Sequence, residues 1–179
     1  MKLNKSTLAA ALLSGFTLVP AAFAGHTNVL LVAELNGREE VKTDATDSSI
    51  VGDPNGRGEA YVFGIDGDPT TLCYIIEVDK IQLAGTATAP GGATGMAAHI
   101  HRGARGTNGP VVANLAGPFD GNAADCLTEL EAGKFPGDPV DIVQEILNNP
   151  EDFYVNIHNP EFPGGAVRGQ LVSTADHSH

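Results

Sequence analysis

The chain has 179 residues, 22 acidic against 10 basic side chains, a formal net charge of −12, and two cysteines. This surplus of negative charge argues against nucleic acid as a partner and against an anionic membrane surface, since both would repel it. The length is that of one ordinary domain rather than several.

In chain order, the first segment has the three parts of a cleavable secretory signal. Lys2 and Lys5 precede an apolar run from Leu8 to Val19, and Ala22-Phe23-Ala24 supplies a small-residue cleavage site. Ser14, Gly15 and Thr17 interrupt the run, which falls short of the roughly 20 residues a spanning helix needs. The expectation is cleavage after Ala24 and export to the periplasm or the medium, with no membrane insertion afterwards. Removing residues 1–24 leaves 155 residues and takes away two basic side chains and no acidic ones, so the net charge becomes −14. Residues 25–173 are then expected as one domain and residues 174–179 as a disordered tail.

Beyond residue 25, Gly and Pro punctuate the chain every dozen residues or so, and the stretches between them alternate or are rich in β-branched and aromatic residues. That pattern predicts a mainly β domain, a sandwich or barrel. The predicted strands are Asn28 to Leu35, Gly58 to Ile65, Thr71 to Asp79, Gly95 to His101, Val111 to Leu115, Phe153 to His158 and Ala166 to Val172. Turn clusters separate them, among them Gly52 to Gly56, Asp66 to Pro69 and Pro90-Gly91-Gly92. One segment departs from the β pattern. Val140, Ile142, Val143, Ile146 and Leu147 recur at helical spacing after Asp138-Pro139, which predicts one short helix from Pro139 to about Asn148.

Cys73 and Cys126 both lie in the part expected to be exported, where an even count pairs readily. A disulfide between them is expected, worth roughly 4 kcal/mol in the chain-entropy picture; two inert buried thiols are the alternative.

The chemistry-bearing residues are three histidines. Ala98-His99-Ile100-His101 places two imidazoles on one face of a strand, with Ile100 facing the core. In Phe153-Tyr154-Val155-Asn156-Ile157-His158 the alternation buries Phe153, Val155 and Ile157 and turns Tyr154, Asn156 and His158 the other way. His99, His101 and His158 are the three histidines within predicted regular structure, since His26, His177 and His179 sit at the ends. Three neutral imidazoles converging from two strands would suit a copper or zinc ion and leave a fourth position open. A hydrogen-bonded network of imidazoles that ties loops together is the competing reading.

The blocks Ala98-His99-Ile100-His101-Arg102-Gly103 with Asn108 to Val112, and Tyr154 to Asn159 with Phe162 to Leu171, resemble the two signature blocks of the CHRD (chordin-type) domain family. With the opening Leu31 to Glu40, the resemblance covers nearly all of the expected mature chain. It implies an immunoglobulin-like, Greek-key β-barrel of a secreted type, known from an extracellular antagonist of signalling proteins and from secreted bacterial proteins. It implies no particular reaction. A looser likeness is to copper/zinc superoxide dismutase, and it maps copper ligation onto His99, His101 and His158. No bridging histidine and no His/His/Asp zinc cluster accompany them, and only Arg102 or Arg168 offers a counterpart of the dismutase arginine.

Other motifs point to ordinary structure. Asp53 to Glu59 has oxygen donors at alternate positions but lacks the spacing of an EF-hand and reads as a turn. Gly164 to Gly169 has no following helix to receive a phosphate and reads as a turn into the last strand. Ser173 and Thr174 have no nearby base in the sequence, and Asp176 to His179 reads as a frayed end. The leading expectation is thus an exported, non-catalytic protein holding copper or zinc on His99, His101 and His158. A metal-independent protein-interaction or matrix module displaying the Gly103 to Pro110 loop comes second, and a copper-dependent dismutase-like enzyme third.

Overall fold

A computed structural model describes residues 29–42, 50–83, 96–137 and 140–174. The expected signal peptide, the tail beyond residue 174, His26, His177, His179 and the Asp138-Pro139 pair lie outside the described residues.

Among the described residues, nine antiparallel strands form one sheet: β1 (Leu30–Asn36), β2 (Arg57–Ile65), β3 (Asp68–Asp79), β4 (Ala97–Arg102), β5 (Val111–Leu115), β6 (Asn122–Thr128), β7 (Phe153–His158), β8 (Val167–Gln170) and β9 (Val172–Ser173). Their spatial order is β5-β4-β7-β8-β1-β2-β3-β6, with β9 also on β1. Strict alternation drives the curl. Leu31, Ala33 and Leu35 of β1, Ile100 of β4 and Phe153, Val155 and Ile157 of β7 all turn to one interior and are at most 2 % exposed. The sheet nearly closes into a barrel. Just beyond β5 the Ala116 amide donates to the Tyr74 hydroxyl of β3 (2.6 Å), and the Asn114 amide of β5 donates to the Lys134 carbonyl (2.7 Å), so the segment after β6 covers the open edge.

Seven of these strands coincide with the predicted ones to within a few residues. β6 was not anticipated. Of its seven residues only Leu127 is buried, so the period-two signal that marks a half-buried strand is missing there. β6 is held instead by its ladder to β3 and by the Cys73–Cys126 disulfide, whose cysteines are directly opposite each other across the pair. The last predicted strand is broken into β8 and β9 at Leu171, whose fully buried side chain enters the core.

The helix α1 (Ile142–Asn148) presents Ile142, Val143, Ile146 and Leu147 to the core, as its spacing predicts. It starts later than Pro139, because Asp141 is left-handed (φ 60°) and cannot extend the helix backwards. Its first amides are met by a distant side chain: Glu129 accepts from Asp141 N (3.2 Å) and Val143 N (2.9 Å).

Candidate metal centre

Facing away from the core, the strands β4, β7 and β8 carry a second, polar layer. Register places it row by row: His99 opposite Asn156 and Asn156 opposite Arg168; His101 opposite Tyr154 and Tyr154 opposite Gln170; Ala97 opposite His158. His158 therefore stands two residues along the same face from Asn156, and the three histidines surround one point. Ring centroids are 5.6 Å apart for His99 and His101, 5.2 Å for His99 and His158, and 6.4 Å for His101 and His158. One ligand nitrogen from each lies within 4.8 Å of the others, and among the described residues no second group of three such side chains has this arrangement. Nitrogens sharing one ion at about 2.0–2.1 Å in a tetrahedral shell are roughly 3.4 Å apart, so closure requires the widest pair to contract by about an ångström through side-chain rotation.

Backbone carbonyls fix two of the rings. His101 Nδ1 lies 2.9 Å from the Gly109 carbonyl and His158 Nδ1 lies 3.1 Å from the Pro163 carbonyl. A carbonyl only accepts, so each Nδ1 carries the proton and each Nε2 presents a lone pair. Both Nε2 atoms, and Nδ1 of His99, are buried and lack a hydrogen-bond partner. Burial holds all three pKa values below the usual imidazole range, His99 falling to about 4 with the charges of His158 and His101 adding to the effect. The carbonyls of Gly109 and Pro163 act the other way on His101 and His158 without cancelling the effect of burial. Neutral imidazole is the form that ligates a metal.

Loops roof this layer. Tyr154 stacks on His101, Arg168 lies over the Tyr154 ring with its guanidinium carbon 3.4 Å from the centroid, and Arg168 is only 2 % exposed. Arg168 donates to the Thr107 carbonyl (2.7 Å) and Asn108 Oδ1 (3.2 Å), while Gln170 Nε2 donates to the carbonyls of Gly103 (3.0 Å), Glu151 (2.6 Å) and Phe153 (2.7 Å). The Gly103 to Pro110 loop is thereby pinned over the histidines. On the other flank Glu40 reaches Asn156, which donates to its carboxylate at 3.5 Å; burial pushes the Glu40 pKa up to about 7, against the opposing effects of the Arg168 charge and of Asn156.

Sequence reasoning had turned Tyr154, Asn156 and His158 to one side, and the structure does so. Arg168, one of the two arginines expected near the site, and Gln170 alternate with Val167, Gly169 and Leu171, so the sequence also carries the signal that turns them to this face. Glu40 has no such signal, because a short 3-10 turn at Gly37–Glu39 brings it over the sheet. Of the two arginines considered beside the site, Arg102 lies away from it, paired bidentately with Glu145 of α1 and set over Phe153. The Asp53 carboxylate accepts from the amides of Asn55 (2.9 Å) and Gly56 (3.1 Å), the closed geometry of a turn. A wide groove of about 1090 Å³ runs past Glu34, Glu59, Glu77 and Asp79 on the faces of β1 to β3, and none of the three histidines lines it.

The fold is a nearly closed antiparallel β-barrel module with a disulfide between β3 and β6 and a roofed polar face. The family model described as the CHRD domain matches residues 31–171, and the chain belongs to that family. None of the curated proteins compared with the chain matches it.

Proposed function

We propose that the protein is an exported, non-catalytic CHRD-domain protein that binds one copper or zinc ion through His99, His101 and His158. The observation that carries this reading is three buried imidazole nitrogens without partners, aimed at one place. Each orphaned buried nitrogen costs on the order of 1–3 kcal/mol unless something fills it, and two of the three are oriented by carbonyls in the manner of metal-ligating histidines. Export is supported by the signal-like N-terminus and by the disulfide, which persists in oxidising compartments.

Titration of chelator-treated protein with copper or zinc, followed calorimetrically, should show one site per chain that is lost in His99→Ala and His158→Ala. Unchanged stoichiometry in those variants would remove the reading. A second reading, a metal-independent interaction module, rests on the Gly103 to Pro110 loop, whose residues 104–108 are exposed while its backbone is pinned from beneath. It predicts a stoichiometric partner whose capture survives both chelation and histidine substitution. The dismutase-like reading stays third: the described residues supply no zinc cluster beside the triad, and the acidic net charge would repel an anionic substrate.

A further inference from the structure

Three further buried oxygens lack partners among the described residues: Glu40 Oε1 and Asn156 Oδ1 beside the triad, and Gln170 Oε1. Asn156 is 5 % exposed and stands at the middle of the polar layer, across from His99 and two residues from both Tyr154 and His158. Its amide donates to Glu40 Oε2, which turns its own carbonyl oxygen away from that carboxylate and leaves it free to accept.

The position of Glu40 is built into the backbone. A β-carbon at Gly165, which has φ +136°, would fall on the Glu40 carboxylate, and one at Gly52 would come within 2.6 Å of Glu40 Cγ. Two glycines therefore clear a slot that brings a carboxylate over a face already holding three unpartnered imidazoles. The same slot borders a cavity of about 420 Å³ lined by Glu40, Phe162, Pro163, Gly164 and Gly165, and Pro163 is the residue whose carbonyl orients His158. Among the described residues, Arg168 is the buried cation of this face and directs its donors into Thr107 and Asn108 of the loop, while Lys42 lines the cavity.

We infer that Glu40 and Asn156 form an acceptor-lined position at the open side of the histidine triad, which selects a neutral proton-bearing fourth ligand, water, and excludes anions. This rests on the triad being a metal site. A water there donates one hydrogen to Glu40 Oε1 and one to Asn156 Oδ1, satisfying both orphans. An anion such as azide or chloride has no hydrogen to give, and above pH 7, where Glu40 is ionised, it meets that carboxylate's negative charge. The position thus serves retention of a resident ion rather than turnover of an anionic substrate, and it names the ligand class that the three histidines leave open.

The test is azide binding to the copper-loaded full chain above pH 7, where Glu40 is ionised, read from the azide-to-copper charge-transfer absorption. Glu40→Gln keeps the shape of the side chain in its slot and removes its charge, and should bind azide at least tenfold more tightly than the wild type while still carrying one copper. Asn156→Asp adds a second carboxylate and should weaken azide further below the wild-type level. Equal azide affinity in wild type, Glu40→Gln and Asn156→Asp, each with one copper, would overturn the inference and leave the triad standing. A wild-type chain that takes up no stoichiometric copper, or a His158→Ala chain that keeps it, would instead overturn the metal reading, and the inference with it.

Discussion

The rings of His101 and Tyr154 stack face to face, 4.8 Å between centroids and 7° from parallel, and both side chains hold the same loop residue: His101 Nδ1 donates to the Gly109 carbonyl, and the Gly109 amide donates to the Tyr154 hydroxyl. One residue of the roof is thus fixed at both its backbone polar atoms by the layer beneath. The orientation of a proposed ligand and the conformation of the Gly103 to Pro110 loop are set by the same contacts. Arg168 also lies over the Tyr154 ring, so the loop, the aromatic ring and the imidazole form one packed unit.

The first prediction concerns that unit. Arg168→Ala removes a guanidinium that is 2 % exposed and leaves the Thr107 carbonyl and Asn108 Oδ1 without their donor. Stability should fall by about 3 kcal/mol, read from urea unfolding. Arg168→Lys should recover only part, because an ammonium cannot both lie flat on Tyr154 and fork between two acceptors. Limited proteolysis by trypsin should cut after Arg105 faster in Arg168→Ala than in the wild type; equal rates would show that Arg168 does not hold the loop.

Glu40 carries a pH dependence of definite sign. Its pKa is about 7 in the folded protein against the ordinary 4.5, so between those values the folded state binds more protons than the unfolded one. The contribution of the neutral carboxyl is therefore complete below about pH 4.5 and is lost as pH rises through 7. In metal-free protein Glu40→Gln should gain stability over the wild type between pH 5 and pH 8, by up to about 3 kcal/mol. Denaturation midpoints in the presence of a chelator measure this. A difference that is constant with pH would contradict it.

The histidines work in the opposite sense. Their folded pKa values lie below the unfolded value of 6.5, so the unfolded chain binds the extra protons and metal-free stability should fall as pH drops below 6.5, for His99 down to about 4. Metal release follows the same depressed values. Half-release should lie below pH 6.5, not at the pKa of a free imidazole, in a titration followed by metal content.

The disulfide joins β3 to β6, strands that carry none of the three histidines. Replacing both Cys73 and Cys126 by Ala should cost about 2–4 kcal/mol while leaving metal stoichiometry and the loop's protease sensitivity unchanged. Loss of the metal site in that variant would show that the edge strands and the polar layer are coupled.

Much of this was readable from residue alternation. Phe153 to His158 shows both its faces in the sequence, and the pairing of His99-x-His101 with His158 followed from assigning each to the non-core side of its strand. What escaped had no periodic signal. β6 buries a single side chain, so its identity as a strand comes from pairing with β3 rather than from its own pattern. The helix start was misplaced because its first amides are met by Glu129, many residues away in sequence. Glu40 was invisible for the same reason: a turn and two glycines elsewhere in the chain decide where its carboxylate goes.

X-ray absorption on the zinc-loaded protein tests the central claim most directly. The account predicts three imidazole nitrogens and one further nitrogen or oxygen donor at about 2.0–2.1 Å, falling to two imidazoles in His158→Ala if any zinc remains. A spectrum fitted by carboxylate oxygens without imidazole scattering, or one unchanged by loss of His158, would contradict it.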